Sequence, residues 1–261
     1  MRPIEWLRRT TAKPIVVAHR GGSLEAPENT LQAFQAALAC GAYAAELDVT
    51  LSRDEEVVVI HDDRLERVSA VQGFVRDYSL AELREIDVGS PKLTAMMAYY
   101  VEGSHRAWPP WNAVPARIPT LREVLALPLR LMIEIKAEPY VPELVARVLR
   151  EIEDARAKDR VVLASFSAEA LAEVARREPH LPRLGIIEDA SKLQSMAEVP
   201  VDALALRWDI LELHQDVLPS LPIWAWTAYT VDLAESMAVH GADAVITDIP
   251  RQTMGSWLST T

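Results

Sequence analysis

The sequence has one cysteine, fewer basic than acidic side chains and no apolar run long enough to span a membrane. Each shortage excludes something. With Cys40 alone there is no intrachain disulfide and no cysteine zinc cluster, which suits a reducing compartment. Lysine and arginine number 27 against 38 aspartates and glutamates, a formal charge of −11. Such a chain lacks the electrostatic footprint that nucleic acid or an anionic lipid surface requires. Any phosphate it handles must be met locally, by a metal or a few placed cations. The first fourteen residues carry Arg2, Arg8, Arg9 and Lys13 but no apolar stretch of signal-peptide length. A cytoplasmic protein without transmembrane segments is therefore expected.

What is present is a core-forming composition. Half of the 261 residues are hydrophobic and a quarter are charged, enough for one large folded domain and too apolar for disorder. Short apolar runs alternate with amphipathic stretches. Strands are expected at 15–19, 43–49, 57–61, 131–136, 161–165, 184–187, 203–206, 223–227 and 244–247. Most are rich in Val, Ile, Leu or Ala and nearly continuously apolar, as parallel strands covered on both faces are. Helices are expected at 31–40, 142–157, 168–177 and 231–240. Ser79 before Glu82, and Thr120 before Glu123, read as capping boxes.

Nine strands are one too many for an eightfold barrel. The link between Asp48 and Val57 is too short for a helical crossover, so 57–61 is an excursion after the second barrel strand. The remainder is an α/β fold of eight units, a (β/α)8 TIM barrel. Residues 1–14 read as a lead-in and 15–261 as a single domain. Residues 88–118 break the rhythm with five Pro and Gly positions beyond Gly89, and with Tyr99, Tyr100, Trp108 and Trp111. They read as an inserted loop or small subdomain before the third barrel strand.

Active sites of such barrels lie at the C-terminal strand ends. Those ends carry His19 and Arg20, Glu46 and Asp48, Glu134 and Lys136, and Ser165, while the excursion adds His61, Asp62 and Asp63. Glu46 and Asp48 are two apart on one strand, so both face the barrel interior; Glu134 and Lys136 repeat the spacing. Three interior carboxylates cannot stay unpaired, and a hard divalent cation on oxygen ligands compensates them. With that ion, Arg20 and Lys136, the set carries one net positive charge, suited to one phosphodiester anion.

The run H-R-G-G-S-L-E-A-P-E-N-T at 19–30, E-L-D-V at 46–49 and V-V-V-I-H-D at 57–62 resembles the glycerophosphodiester phosphodiesterases. I-P-T-L-R-E-V-L at 118–125, I-E-I-K at 133–136, S-F at 165–166, W-T at 226–227 and T-D-I-P at 247–250 extend the resemblance over nearly the whole chain. It implies a barrel related to the phosphatidylinositol-specific phospholipases C. It makes Glu46, Asp48 and Glu134 ligands of one divalent cation, Mg²⁺ or Ca²⁺. It makes His19 and His61 the general acid and base, in either order, and has Arg20 and Lys136 neutralise phosphate. The implied reaction splits a small-molecule glycerophosphodiester into glycerol 3-phosphate and an alcohol such as choline, ethanolamine or glycerol. Attack by water and attack by a glycerol hydroxyl through a cyclic phosphate both stay open. Two departures stand out. Arg53-Asp54-Glu55 replaces the family's Lys-Asp-Gly turn, and Trp226-Thr227-Ala228-Tyr229 replaces its usual W-T-V-N.

Plainer readings apply elsewhere. His105, His180, His214 and His240 have no such motif around them and read as surface residues. Ser165 reads as support for the wall, Glu28 and Asn29 as caps of the first helix at least as well as site residues, and Asp248 as the cap of the last helix. Trp226 reads equally as pocket lining and as barrel packing. The Trp108–Trp111 segment reads as a lid or rim, with an acyl-chain grip or a homodimer contact as alternatives. Three rival functions follow: a lysophospholipase D, a phospholipase C-like enzyme releasing phosphorylated head groups, and an inactive barrel that binds a metabolite or protein.

Overall fold

The computed structural model describes residues 5–89, 115–136, 141–214, 216 and 218–259. Nine strands form one sheet: β1 (Ile15–Ala18), β2 (Ala44–Leu51), β3 (Val57–Val59), β4 (Arg130–Ile135), β5 (Val161–Ser165), β6 (Arg183–Ile187), β7 (Ala203–Arg207), β8 (Ile223–Ala228) and β9 (Ala244–Thr247). Eight are parallel and close on themselves, since β1 pairs with both β2 and β9. The helices are α1 (Leu31–Cys40), α2 (Leu80–Leu83), α3 (Leu121–Leu125), α4 (Val141–Asp154), α5 (Ala168–Arg177), α6 (Leu193–Ala197), α7 (Trp208–Leu213), α8 (Val231–Val239) and α9 (Pro250–Ser259). The protein is a TIM barrel. No helix among the described residues is long and apolar enough to cross a membrane.

β3 is the ninth strand, and it runs antiparallel to β2 with Val49 opposite Val59 and Leu51 opposite Val57. At the turn between them Glu55 adopts a left-handed φ of 61°. The departure from Lys-Asp-Gly therefore keeps the backbone conformation that glycine favours. Both expected capping boxes form, at Ser79 with Glu82 and at Thr120 with Glu123. α4 stops at Asp154, short of the expected 157, because Arg156 turns to a left-handed φ of 51°. The expected insertion falls mostly on 90–114, with Tyr99, Tyr100, Trp108 and Trp111, and lies outside the described residues.

Alternation along the strands sorts side chains into an inner and an outer layer. Outward residues such as Leu47, Val49, Leu131 and Ile133 pack under the helices. Inward residues at the N-terminal end are small where the closure is tight, as at Ala44, Ala203, Ala205 and Ala244, and leave room for the fully buried Trp224. Trp6 and Leu7, on the turn Glu5–Leu7, pack against this end. The rings of Trp6 and Trp224 meet edge-on at 5.9 Å, and Trp224 Nε1 donates to the Leu7 carbonyl over 2.9 Å. The barrel floor is thus sealed with aromatic side chains.

A second, smaller core lies beside β3. Val58, Ile60, Leu65, Val68, Val75, Leu83, Ile86 and Ile118 bury one another, and β3 gains a bridge from Val58 to Thr120. The chain from 60 to 89 is therefore a packed unit at the top of the barrel. Deleting the floor anchor should be costly: Trp224→Ala is expected to lower unfolding free energy by about 3–5 kcal/mol, read as a drop in the urea midpoint with an unchanged m-value.

Candidate functional site

β1 ends at Ala18, and His19–Gly21 turn away in a short 3-10 segment in which Arg20 has a φ of 50°. His19 therefore sits just past the strand rather than in it. The same holds for Lys136 after β4 and His61 after β3. Gly21 is required by this turn: its φ is +82°, and an added Cβ would lie 2.7 Å from that of Ala33. Asp48 on β2 stands in register beside Glu134 on β4, and Glu46 stands beside Met132 one pleat lower. Glu46, Asp48 and Glu134 are all buried and each offers an oxygen within 4.8 Å of the others.

Their neighbours fix these carboxylates. Asn29, at a φ of 56°, donates from its amide to Asp48 Oδ2 over 2.8 Å and accepts from the Asp48 backbone N–H. The Arg20 backbone N–H donates to Glu46 Oε2 over 2.8 Å. Lys136 Nζ lies 2.8 Å from Asp48 Oδ1 and 2.6 Å from Glu134 Oε1. Each of the two expected histidines is held at Nδ1 by an aspartate. His19 Nδ1 is 2.6 Å from Asp248 Oδ1, which also accepts from the Ser23 hydroxyl. His61 Nδ1 is 2.5 Å from Asp62 Oδ1. Nε2 of each ring is left for other partners, and His19 Nε2 lies 3.9 Å from Glu46.

The electrostatics report crowding. Burial and the Asp48 charge push Glu46 and Glu134 well above the ordinary carboxylate range. Burial opposes ionisation of Asp48 too, but Lys136 and Arg20 outweigh it and hold Asp48 low. Burial works against a charged His19, yet Asp248 and Glu46 raise it above the ordinary value. A buried set of three carboxylates, two of them biased toward protonation, suits a hard cation on oxygen ligands. The donors fit such an ion, with Lys136 and Arg20 alongside.

A cavity of about 710 Å³ opens over this set. Its polar lining is His19, Arg20, Glu46, Asp48, His61, Asp62, Arg67, Glu134, Arg207, Thr227 and Asp248; its apolar and aromatic lining is Met132, Phe166, Ile186, Trp208, Trp226, Tyr229 and Ile246. Trp226 meets Phe166 edge-on at 5.8 Å, and its Nε1 donates to the Ala205 carbonyl. Trp226 is thus both pocket wall and packed ring. Lys136 instead lines the adjoining recess with His61, Asp62 and Arg67.

Three expectations change. Asp248 does not cap the last helix; it is fully buried and holds His19. The signal was available, since Asp248 follows Ile246 by two on β9 as His19 follows Val17 by two on β1, and these strands pair. Glu28 and Asn29 do not cap α1, because Thr30 does, accepting from Ala33 N. Glu28 instead accepts from Arg20 Nη1 over 2.9 Å and from both terminal nitrogens of Arg67. Arg67, which no sequence motif marked, also donates from Nε to Asp62. The charge count likewise changes: Glu28, Asp62 and Asp248 add three carboxylates against one further guanidinium. With a divalent ion these residues carry one net negative charge, which Arg207, also lining the cavity, offsets. Ser165 is support as expected, donating to the Ile135 carbonyl. His180, His214 and His240 lie away from the cavity, and His105 lies outside the described residues.

Residues 19–252 match the model of the glycerophosphoryl diester phosphodiesterase family. A glycerophosphodiester phosphodiesterase of Caldanaerobacter subterraneus is 31% identical over 91% of this chain and 95% of its own. One of Bacillus altitudinis is 30% identical over 90% of this chain and 94% of its own. Among solved structures, an Oleispira antarctica phosphodiesterase in complex with the product sn-glycerol-3-phosphate superposes with a TM-score of 0.79. It is 25% identical and covers 94% of this chain and 97% of that one.

The buried Glu28 gives a stability test with a definite sign. Burial disfavours its charge, but Arg20 and Arg67 pull its pKa down from 4.5 to about 2. A depressed carboxyl stabilises the fold above its unfolded pKa and loses that contribution as pH falls toward the folded value. Glu28→Gln is therefore expected to cost about 3 kcal/mol near pH 7. The gap to the parent protein should close as pH drops from 4.5 toward 2, as read by chemical denaturation.

Proposed function

The chain belongs to the glycerophosphoryl diester phosphodiesterase family, and from that membership we propose that it hydrolyses glycerophosphodiesters to glycerol 3-phosphate and an alcohol. The observation that carries the reading is the pairing of three converging buried carboxylates with two histidines, each tied at Nδ1 to an aspartate. Glu46, Asp48 and Glu134 would hold one divalent cation, Mg²⁺ or Ca²⁺, which when bound supplies Lewis-acid stabilisation of charge on the phosphoryl oxygens.

The protein side chains do the rest. Arg20 and Lys136 supply positive charge to the phosphate region, and both are anchored by the carboxylates they adjoin. His19 and His61 share the proton transfers: one ring takes the proton of the attacking hydroxyl at Nε2, and the other delivers one to the departing alkoxide. Asp248 and Asp62 fix the tautomer that leaves Nε2 available, and Asp248 also favours a protonated His19. The sealed floor keeps water from entering below. Trp226, with Phe166 and Tyr229, forms the apolar wall for the uncharged parts of the substrate. The acidic chain and its single cysteine suit a cytoplasmic enzyme acting on free diesters, without nucleic acid.

The exposed Phe166 and Tyr229 rings favour one second reading, a lysophospholipase D whose acyl chain lies along that wall. Metal-stripped protein assayed on glycerophosphocholine and lysophosphatidylcholine separates them. Release of glycerol 3-phosphate from the first, restored by Mg²⁺ or Ca²⁺, is expected. His19→Ala and His61→Ala should each lower kcat by about 10²–10⁴-fold. Turnover of lysophosphatidylcholine alone would establish the second reading.

The ion itself can be tested without turnover. Cation binding is expected to release protons at neutral pH, because Glu46 and Glu134 are pushed up by burial and by Asp48. Calorimetric titrations in buffers of different ionisation enthalpy should show that release, and Glu46→Gln should reduce it.

A further inference from the structure

Two loops bring the histidines to the cavity. Residues 19–30 follow β1 and carry His19, Arg20 and Glu28; residues 60–89 follow β3, pack around their own small core and carry His61, Asp62 and Arg67. Arg67 reaches across between them. Its Nη1 and Nη2 donate to Glu28 Oε2 and Oε1 over 2.7 and 2.6 Å, a bidentate fork. Its Nε donates to Asp62 Oδ2, while Asp62 Oδ1 holds His61 Nδ1. Glu28 Oε1 also accepts from Arg20 Nη1. One guanidinium therefore joins the carboxylate that orients His61 to the carboxylate that anchors Arg20.

We propose that Arg67 is a positioning residue: it locks Asp62, and through it His61, to the Arg20–Glu28 arm, so that both loops present their groups to one phosphate. A planar fork suits this task and an ammonium does not, because lysine can satisfy only one of the two carboxylates with comparable geometry. Glu28 is almost wholly buried, so its alignment with Arg67 is sterically confined. The inference rests on the phosphodiesterase reading, because it is that reaction which needs His61 and Arg20 placed together.

Arg67→Met and Arg67→Lys, in the full-length protein, test it by kinetics and by a spectroscopic readout. With glycerophosphocholine, Arg67→Met is expected to lower kcat about 10–100-fold with KM within about twofold. Arg67→Lys should recover part of the loss. In a His61→Ala background, Arg67→Met should cost no more than about twofold further, since the group through which it acts is gone. Imidazole ¹⁵N shifts should show the Nδ1–H tautomer of His61 in the parent protein and a mixed tautomer in Arg67→Met, whether or not the enzyme turns over this substrate. Parent inactivity would count against the phosphodiesterase reading alone. An unchanged His61 tautomer would overturn the positioning role even then. A raised KM with unchanged kcat would overturn it in favour of direct contact with substrate, and an undiminished effect in the His61→Ala background would reduce Arg67 to a structural tie.

Discussion

Asp48 and Glu134 occupy neighbouring register positions on two paired strands, with Glu46 one pleat below, all facing into a closed barrel. Parallel pairing gives them no freedom to move apart, since each is fixed by the alternation of its own strand. Much of the polar structure at the barrel top answers that concentration of negative charge. Lys136 bridges two of the carboxylates, the Arg20 backbone N–H bends in through a left-handed turn to reach the third, and Asn29 takes a left-handed φ to clamp Asp48 from both of its amide atoms. Glycine at position 21 follows from the same turn, which has no room for a side chain.

The two histidines reach a common arrangement by different routes. His19 takes its aspartate from the adjacent strand end, where closure of the barrel brings β9 beside β1. His61 takes its aspartate from the next residue, and a loop with its own apolar core carries both. An aspartate on Nδ1 favours the tautomer with a free Nε2. The chain reaches this arrangement once through topology and once through local sequence.

These routes explain what was legible in the sequence. Parallel strands buried on both faces leave continuous apolar runs, so the eight barrel strands were legible, and a link too short for a crossover marked 57–61 as the odd one. The strand-end carboxylates were legible because a spacing of two fixes a face. Long-range partners were harder. Arg67 sits in a segment with no periodicity, and its partners Glu28 and Asp62 are chosen by the paths of two loops. For Glu28 the sequence left capping and a site role open; Thr30, two residues on, takes the cap and leaves Glu28 to the guanidiniums. Asp248 lay within reach: its parity matches His19, and closure makes their strands neighbours.

The two ends of the barrel are complementary. At the floor, alanines thin the wall so that Trp224, Trp6 and Leu7 can fill it, and a filled floor excludes water from beneath the charged layer. A drier surrounding strengthens every interaction among the carboxylates, Lys136, Arg20 and the histidines, and makes an uncompensated charge more costly. The apolar packing below and the ionic network above are therefore coupled: the tighter the floor, the more completely the top must be paired. Glu46 and Glu134 stay biased toward protonation even with the Arg20 N–H and Lys136 beside them. That bias is why the three carboxylates suit a hard cation on oxygen ligands.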